Sequence, residues 1–245
     1  MLIVADYRLS QQAFGRLCQF GEVVLLQSAD VYDALSGHPD VFLCRLPHGV
    51  VAAPNTPVNV LEALARHAVP VVAGNLPARG RYPATARYNA VVAHGLLIHN
   101  LRHTDEALAH AARQFKFLHV NQGYSACNLI SLPDGSFISS DQGIVNCLTR
   151  FGVESHYVEP QGITLPGFHH GFLGGCAGWM GNLLVFTGNL SRLAGGDRLA
   201  DLLRTKNVEW ISLSEELHDV GGLMFFQQNG SLGASNSIVP IGCKG

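Results

Sequence analysis

Glycine closes four tight turns at intervals of 46, 40 and 46 residues: Pro47-His48-Gly49, Ala93-His94-Gly95, Pro133-Asp134-Gly135 and Trp179-Met180-Gly181. Each turn stands between two short apolar runs, and the second run closes on Asn55, Asn100, Asp141 or Asn189, spaced 45, 41 and 48 apart. A hairpin turn of this kind needs a residue with positive φ, which glycine adopts without steric cost. Two markers that keep one period point to a repeated supersecondary unit.

A helix and a third strand after each hairpin complete the unit. Beyond Cys127-Asn128-Leu129-Ile130-Ser131-Leu132 and the returning run Ser136-Phe137-Ile138-Ser139-Ser140, the stretch from Asp141 to Gly152 reads as a helix with Ile144, Val145 and Leu148 on one face. Ser155-His156-Tyr157-Val158 is then a third strand. Thr56 is expected to cap the first unit's helix with Pro57 at its first position, and Thr104 to cap the second. Each unit is ββαβ, and four of them span about 38–74, 88–120, 126–159 and 172–213. The ends of the chain supply a fifth, 219–245 with 1–27. In it Gly222-Leu223-Met224-Phe225-Phe226 precedes Gln228-Asn229-Gly230, and Leu2-Ile3-Val4-Ala5 closes on Asp6. The expected fold is therefore a single α/β domain, residues 1–245, in which the N-terminal strand pairs near the C-terminal one and closes the ring. Closure leaves no open sheet edge to template aggregation.

Composition narrows the partners. A hydrophobic content of 47% against 14% charged residues describes a mostly buried chain. No apolar run approaches the ~18 residues of a membrane span, and Met1-Leu2-Ile3-Val4-Ala5-Asp6 reaches an acid too soon for a secretory leader. A cytoplasmic protein is expected. Net charge of −2, with no stripe of Lys and Arg, gives no electrostatic reason to expect nucleic acid. Neither nucleic acid nor membrane is the expected partner; a small molecule is. Six cysteines without CxxC spacing read as reduced thiols rather than a disulfide frame.

Five ββαβ units about a pseudo-fivefold axis resemble the pentein, or α/β-propeller, fold of the guanidino-group-modifying enzymes: arginine and agmatine deiminases, dimethylarginine hydrolases and amidinotransferases. The stretch from Gln122-Gly123-Tyr124 to Cys127, with Gly171-Phe172-Leu173-Gly174-Gly175, also resembles an uncharacterised bacterial family described only by this fold. The first resemblance implies a Cys nucleophile, a His acid/base and carboxylates that grip a planar cation, without a cofactor or metal. Physically, a thiolate must attack an amidine carbon, the leaving amine must be protonated, and guanidinium is held best by bidentate carboxylates. The fifth hairpin, where those enzymes carry their Cys, reads Gly221-Gly222-Leu223-Met224-Phe225-Phe226. The hairpin starts matching their Glu-Gly-Gly-Asp and His-x-Asp segments read Phe172-Leu173-Gly174-Gly175 and Tyr124-Ser125-Ala126-Cys127.

In such a ring the loops before each hairpin and the ends of the second strands share one mouth. Those loops bring His38, Asp40, Asn89, Tyr124, Cys127, His169, His170, Cys176 and Asp219 to one rim. The expected catalytic set is Cys127 as nucleophile, His170 as acid/base and Asp141 as carboxylate. Asp219, His169, Asn189, Tyr124, Arg87 and Asp6 are the expected substrate-binding residues. A nucleophilic Cys127 would need a pKa below the ~8.5 of a free thiol. Cys176 and Cys243 are alternative thiols, and convergence of His169, His170 and Cys176 would make a metal site instead. Asp40, Asp141 and Asp219 facing Arg79, Arg81 and Arg87 would suit a ligand carrying both a cation and a carboxylate. The competing expectation is a non-catalytic pentein, a binding or assembly factor like the ribosome anti-association factors of this fold. The oligomeric state is left open.

Overall fold

A computed structural model describes residues 1–227, in which five three-stranded sheets repeat one arrangement. In the first unit strand Leu43–Leu46 pairs antiparallel with Gly49–Ala52. Helix Val58–Arg66 then leads to Val71–Ala73, parallel to the middle strand. The second unit is Val91–Ala93, Leu96–His99, helix Glu106–Ala111 and Lys116–His119. The third is Leu129–Ser131, Phe137–Ser139, helix Gln142–Arg150 and Ser155–Tyr157. The fourth is Ala177–Met180, Leu183–Phe186, helix Gly196–Thr205 and Glu209–Ser212. Both ends of the described chain meet in the fifth. Met224–Phe226 pairs antiparallel with Leu2–Asp6, and helix Gln11–Leu17 carries the chain to Glu22–Leu26, parallel to Leu2–Asp6. The turn at Gly230 and the thiol of Cys243 lie outside the described residues.

Burial explains why the sequence spells the unit as it does. The middle strand of each sheet is covered on both faces, so it reads as a continuous apolar run: Val50 and Val51, Leu97 and Ile98, Phe137 and Ile138, Leu184 to Phe186 are all fully buried. Each helix buries one stripe, for example Ile144, Val145 and Leu148, or Leu199 and Leu203. The third strand is the outer one, and Val71 and Val72 remain exposed. At the turns Gly49, Gly95, Gly135 and Gly181 all take positive φ, from +64° to +133°, as the hairpin signal requires.

Two caps differ from expectation. Pro57 itself occupies the N-cap position of Val58–Arg66, while the Thr56 hydroxyl donates to the Ala53 carbonyl at 2.8 Å. In the second unit Asp105 caps the helix by accepting from Ala107 N, because the Thr104 hydroxyl is held by the His99 ring at 2.7 Å. No helix among the described residues is long and apolar enough to cross a membrane.

Three features position the site. Short helical turns precede three of the first strands: Pro39–Phe42, Ser125–Asn128 and Gly174–Cys176. The first strands of neighbouring units pack together, Leu43–Leu46 with Val91–Ala93 and Ala177–Met180 with Met224–Phe226. Finally, a two-stranded sheet that the sequence pattern does not announce, Ile163–Thr164 with Leu217–His218, leads the chain into Asp219, whose N–H donates to the Thr164 carbonyl at 3.0 Å.

Candidate functional site

The helical turns deliver Asp40 and Cys127 to one point. The Cys127 thiol donates to Asp40 Oδ2 at 2.7 Å, joining residues 87 positions apart. Asn89 fixes that turn from the second unit: its Oδ1 accepts from Ala126 N and Cys127 N at 2.8 and 3.1 Å, and its Nδ2 donates to Cys127 Sγ at 3.3 Å. His38 completes the group, and the ligating atoms of His38, Asp40 and Cys127 all lie within 4.8 Å of one another. All three side chains are buried.

Two further carboxylates flank the imidazole. His38 Nε2 lies 3.8 Å from Asp6 Oδ2, and Nδ1 lies 4.0 Å from Asp219 Oδ1. Asp6 ends its strand and turns back to Arg8, which grips it through Nε at 3.0 Å and a terminal nitrogen at 2.5 Å. Asp219 accepts instead from two backbone donors, Phe172 N at 2.8 Å and Gly221 N at 3.1 Å. Glycines make this closeness possible. A Cβ on Gly37 would sit 2.0 Å from Asp6 Oδ1, and one on Gly221 would sit 2.4 Å from His38 Cβ.

His38, Asp40 and Cys127 hold no fixed positive charge among themselves, and the nearby cation, Arg8, is paired with Asp6. Burial pushes His38 down to about 3, so its ring is neutral. Burial pushes Asp219 up to about 6, against the pull of its two N–H donors. Asp40 is raised well above the usual carboxylate range by burial, and Cys127 is raised by burial and by the charges of Asp40 and Asp219. At rest the thiol is protonated, opposite to the lowered pKa expected of a free-standing nucleophile. Both ring nitrogens of His38 and the Oδ1 of Asp40 are buried without a hydrogen-bond partner among the described residues. Such groups cost about 1–3 kcal/mol each when left unpaired, so an occupant able to pair with them would be stabilised. A cleft of about 430 Å³ reaches Asp40, lined also by Arg45, Ala126, Gly174, Trp179 and Gly222.

Of the residues expected from sequence to act in catalysis or substrate binding, Cys127, Asp6 and Asp219 meet at this cluster, joined by the rim residues His38, Asp40 and Asn89. The others are engaged elsewhere. Asp141 accepts from Ile144 N as the cap of its own helix and from Gln122 Nε2, both at 3.0 Å, and lines a separate cavity with His119 and Cys147. Asn189 likewise accepts from Ser191 N at 3.0 Å. The His170 ring bonds the Gly171 carbonyl at 2.9 Å, and His169 is exposed. Arg87 donates to the Pro77 carbonyl, and the Tyr124 hydroxyl pairs with Thr85 at 2.6 Å. Cys176 directs its thiol to the Phe172 carbonyl at 3.3 Å. From sequence, His38 stands on the rim without a role, and Asp40 enters only as one of three rim acids, outside the expected catalytic set. The signal that could have raised them is His38-Pro39-Asp40, a His-x-Asp segment at the start of the first hairpin rather than a later one.

A family model described as a family of unknown function, DUF6873, matches residues 4–224. The chain belongs to this family. No curated protein matches the sequence. Among solved structures, the DUF6873 chain resembles DDAH from Pseudomonas aeruginosa, a cysteine-to-serine variant complexed with citrulline, at a TM-score of 0.52 and 10% identity over 87% of this chain and 91% of that one. A dimethylarginine dimethylaminohydrolase variant in adduct with S-methyl-L-thiocitrulline gives 0.50 and 10%, over 87% and 92%. SxtG, an amidinotransferase from Microseira wollei in the saxitoxin biosynthetic pathway, gives 0.51 and 8%, over 95% and 96%. The fold is that of the penteins; at this identity the likeness carries the fold alone.

Proposed function

We propose that this chain is a closed five-unit pentein that binds a small guanidino-type cation at the His38–Asp40–Cys127 cluster and cleaves a C–N bond of it through Cys127. One observation carries the reading: Asp40 Oδ1 and both His38 nitrogens are buried and unpartnered beside a thiol. The fold, shared with enzymes of guanidino chemistry, supports it by analogy.

The proposed chemistry rests on the charges. A guanidinium entering the cluster brings a positive charge to Asp40 and Asp219, which favours their ionised forms and the thiolate of Cys127. Cys127 Sγ then adds to the amidine carbon as its proton passes to neutral His38. The imidazolium returns that proton to the leaving amine as the C–N bond breaks. Water adds to the thiouronium carbon, the C–S bond breaks, and the thiol is restored with release of a ureido product. In this scheme His38 takes the acid/base role that the sequence suggested for His170, and Asp40 with Asp219 replaces Asp141 at the cation.

The burial of Cys127, 2% exposed, favours a second reading, a binding or assembly factor without turnover. Thermal-shift measurements with L-arginine, agmatine and spermidine separate these readings when combined with mass-spectrometric detection of ureido product. Guanidino compounds should stabilise the wild-type protein by about 2.7 kcal/mol at 100 times Kd. Spermidine should not, and Asp40→Asn should abolish the response. Stabilisation without product would leave the non-catalytic reading, and a guanidino response unchanged in Asp40→Asn would remove this cluster as the site.

A further inference from the structure

We propose that His38, Asp40 and Cys127 also form a three-ligand site for a borderline-soft divalent cation of the zinc type. This rests on the geometry of the side chains and not on guanidino binding. Three lines of reasoning converge. The donor set is one nitrogen, one oxygen and one sulfur, the combination zinc accepts, and the three atoms fall within 4.8 Å of one another. Ligands at about 2.0–2.3 Å from a tetrahedral ion stand roughly 3.3–3.8 Å apart, so small side-chain adjustments would seat it. They come from two units of the fold, His38 and Asp40 from one turn and Cys127 from another, with Asp40 pinned by its N–H to the Gly221 carbonyl and Cys127 by Asn89.

The second line is the orphaned polar surface. Asp40 Oδ1 and both nitrogens of His38 are fully buried with no partner among the described residues, and a cation at the centre of the three would take up lone pairs from Asp40 and His38 at once. The third lies in the surrounding shell. Metal-bound imidazoles generally present their other ring nitrogen to a carboxylate or carbonyl, which fixes the tautomer. Here each ring nitrogen faces a carboxylate, Asp6 at 3.8 Å or Asp219 at 4.0 Å, so whichever nitrogen binds metal, a small shift brings the other a carboxylate acceptor. Three protein ligands leave a fourth position open to a small molecule. Metal occupancy and nucleophilic use of Cys127 exclude one another, so the metal would silence the thiol chemistry of this residue.

The test uses the full chain, stripped with chelator under reducing conditions. Zinc uptake is measured by elemental analysis after dialysis, and cobalt(II) is titrated as a spectroscopic probe. One zinc per chain is expected, with a thiolate-to-cobalt charge-transfer band in the near ultraviolet. Both should persist in Cys176→Ser, a buried thiol outside the cluster, and weaken at least 100-fold in Cys127→Ser and Asp40→Asn. Absence of the band from the wild-type protein overturns the proposal without recourse to any variant, and so does uptake that survives Cys127→Ser. Zinc uptake together with no thermal response to guanidino compounds would retain the metal site and remove the ligand reading; a guanidino response without uptake would do the reverse.

Discussion

Arg8→Ala is expected to lower the free energy of unfolding by about 3 kcal/mol, because removing one member of a buried ion pair strands the other. The stranded group is Asp6, which has no exposed surface. Arg8 gives its carboxylate three hydrogen bonds, through its own N–H at 2.8 Å, Nε at 3.0 Å and a terminal nitrogen at 2.5 Å. The same guanidinium ties down the next loop by donating to the carbonyls of Asp33 at 2.7 Å and Ala34 at 2.9 Å. Some water reaches the Arg8 side chain, which is 24% exposed, and this holds the cost at the lower end of the ~3–5 kcal/mol range for broken buried pairs. Urea unfolding of Arg8→Ala and of Arg8→Ala with Asp6→Asn checks the cause. The double variant should recover part of the loss, since a neutral amide is far less costly to bury than a carboxylate. A cost below about 1 kcal/mol, or no recovery, would mean that the Asp6 carboxylate is hydrated.

Gly175→Ala should be of similar size, again about 3 kcal/mol, from overpacking together with a lost charged hydrogen bond. The added Cβ would lie 1.9 Å from Asp219 Oδ1 and 2.6 Å from its Cγ. Neither side can give way easily. Asp219 is held by Phe172 N and Gly221 N, and the Gly175 carbonyl accepts from both Val220 N and Gly222 N at 2.9 Å. Pushing Asp219 aside frees two backbone donors in a buried site and moves one of the carboxylates facing His38. Chemical denaturation of Gly175→Ala, alone and combined with Asp219→Gly, measures this. The second substitution removes the colliding carboxylate and should make the alanine nearly neutral relative to Asp219→Gly alone. An additive double variant would place the strain in the backbone instead.

The unit was legible because its signals are local. A positive φ is demanded by the turn itself, so Gly49, Gly95, Gly135 and Gly181 announce their hairpins whatever packs above them. The strand-closing Asn and Asp residues were legible as a repeat and misleading as a site for one reason. Asp141 and Asn189 end their strands by accepting from N–H groups two or three residues on, a capping role contained in the local chain. Asp6 holds the same position in the fifth unit and makes the same local bond, accepting from Arg8 N at 2.8 Å, but its carboxylate is also gripped by the Arg8 side chain and lies 3.8 Å from His38. Sequence spacing does not separate these fates, since the difference lies in what the other units bring near. Cys127 stood out as a thiol before a hairpin, yet its companions Asp40 and Asn89 come from 87 and 38 residues away. The small sheet of Ile163–Thr164 with Leu217–His218, which sets Asp219, has only two residues in each strand and leaves no periodicity to read.

Competitive alkylation of the native protein most directly tests the central claim that Cys127 belongs to a cation-binding catalytic cluster. A cationic haloacetamidine and its neutral counterpart, a haloacetamide, differ chiefly in charge at the group that would sit beside Asp40 and Asp219. Peptide mapping by mass spectrometry reads the label on Cys127 against that on exposed Cys18, which reports each reagent's intrinsic reactivity. After that normalisation the amidine should modify Cys127 at least about tenfold faster than the amide, the effect of about 1.4 kcal/mol of charge pairing, and Asp40→Asn should erase the preference. Equal rates for the two reagents, or a Cys127 that neither modifies while Cys18 reacts fully, would contradict the account.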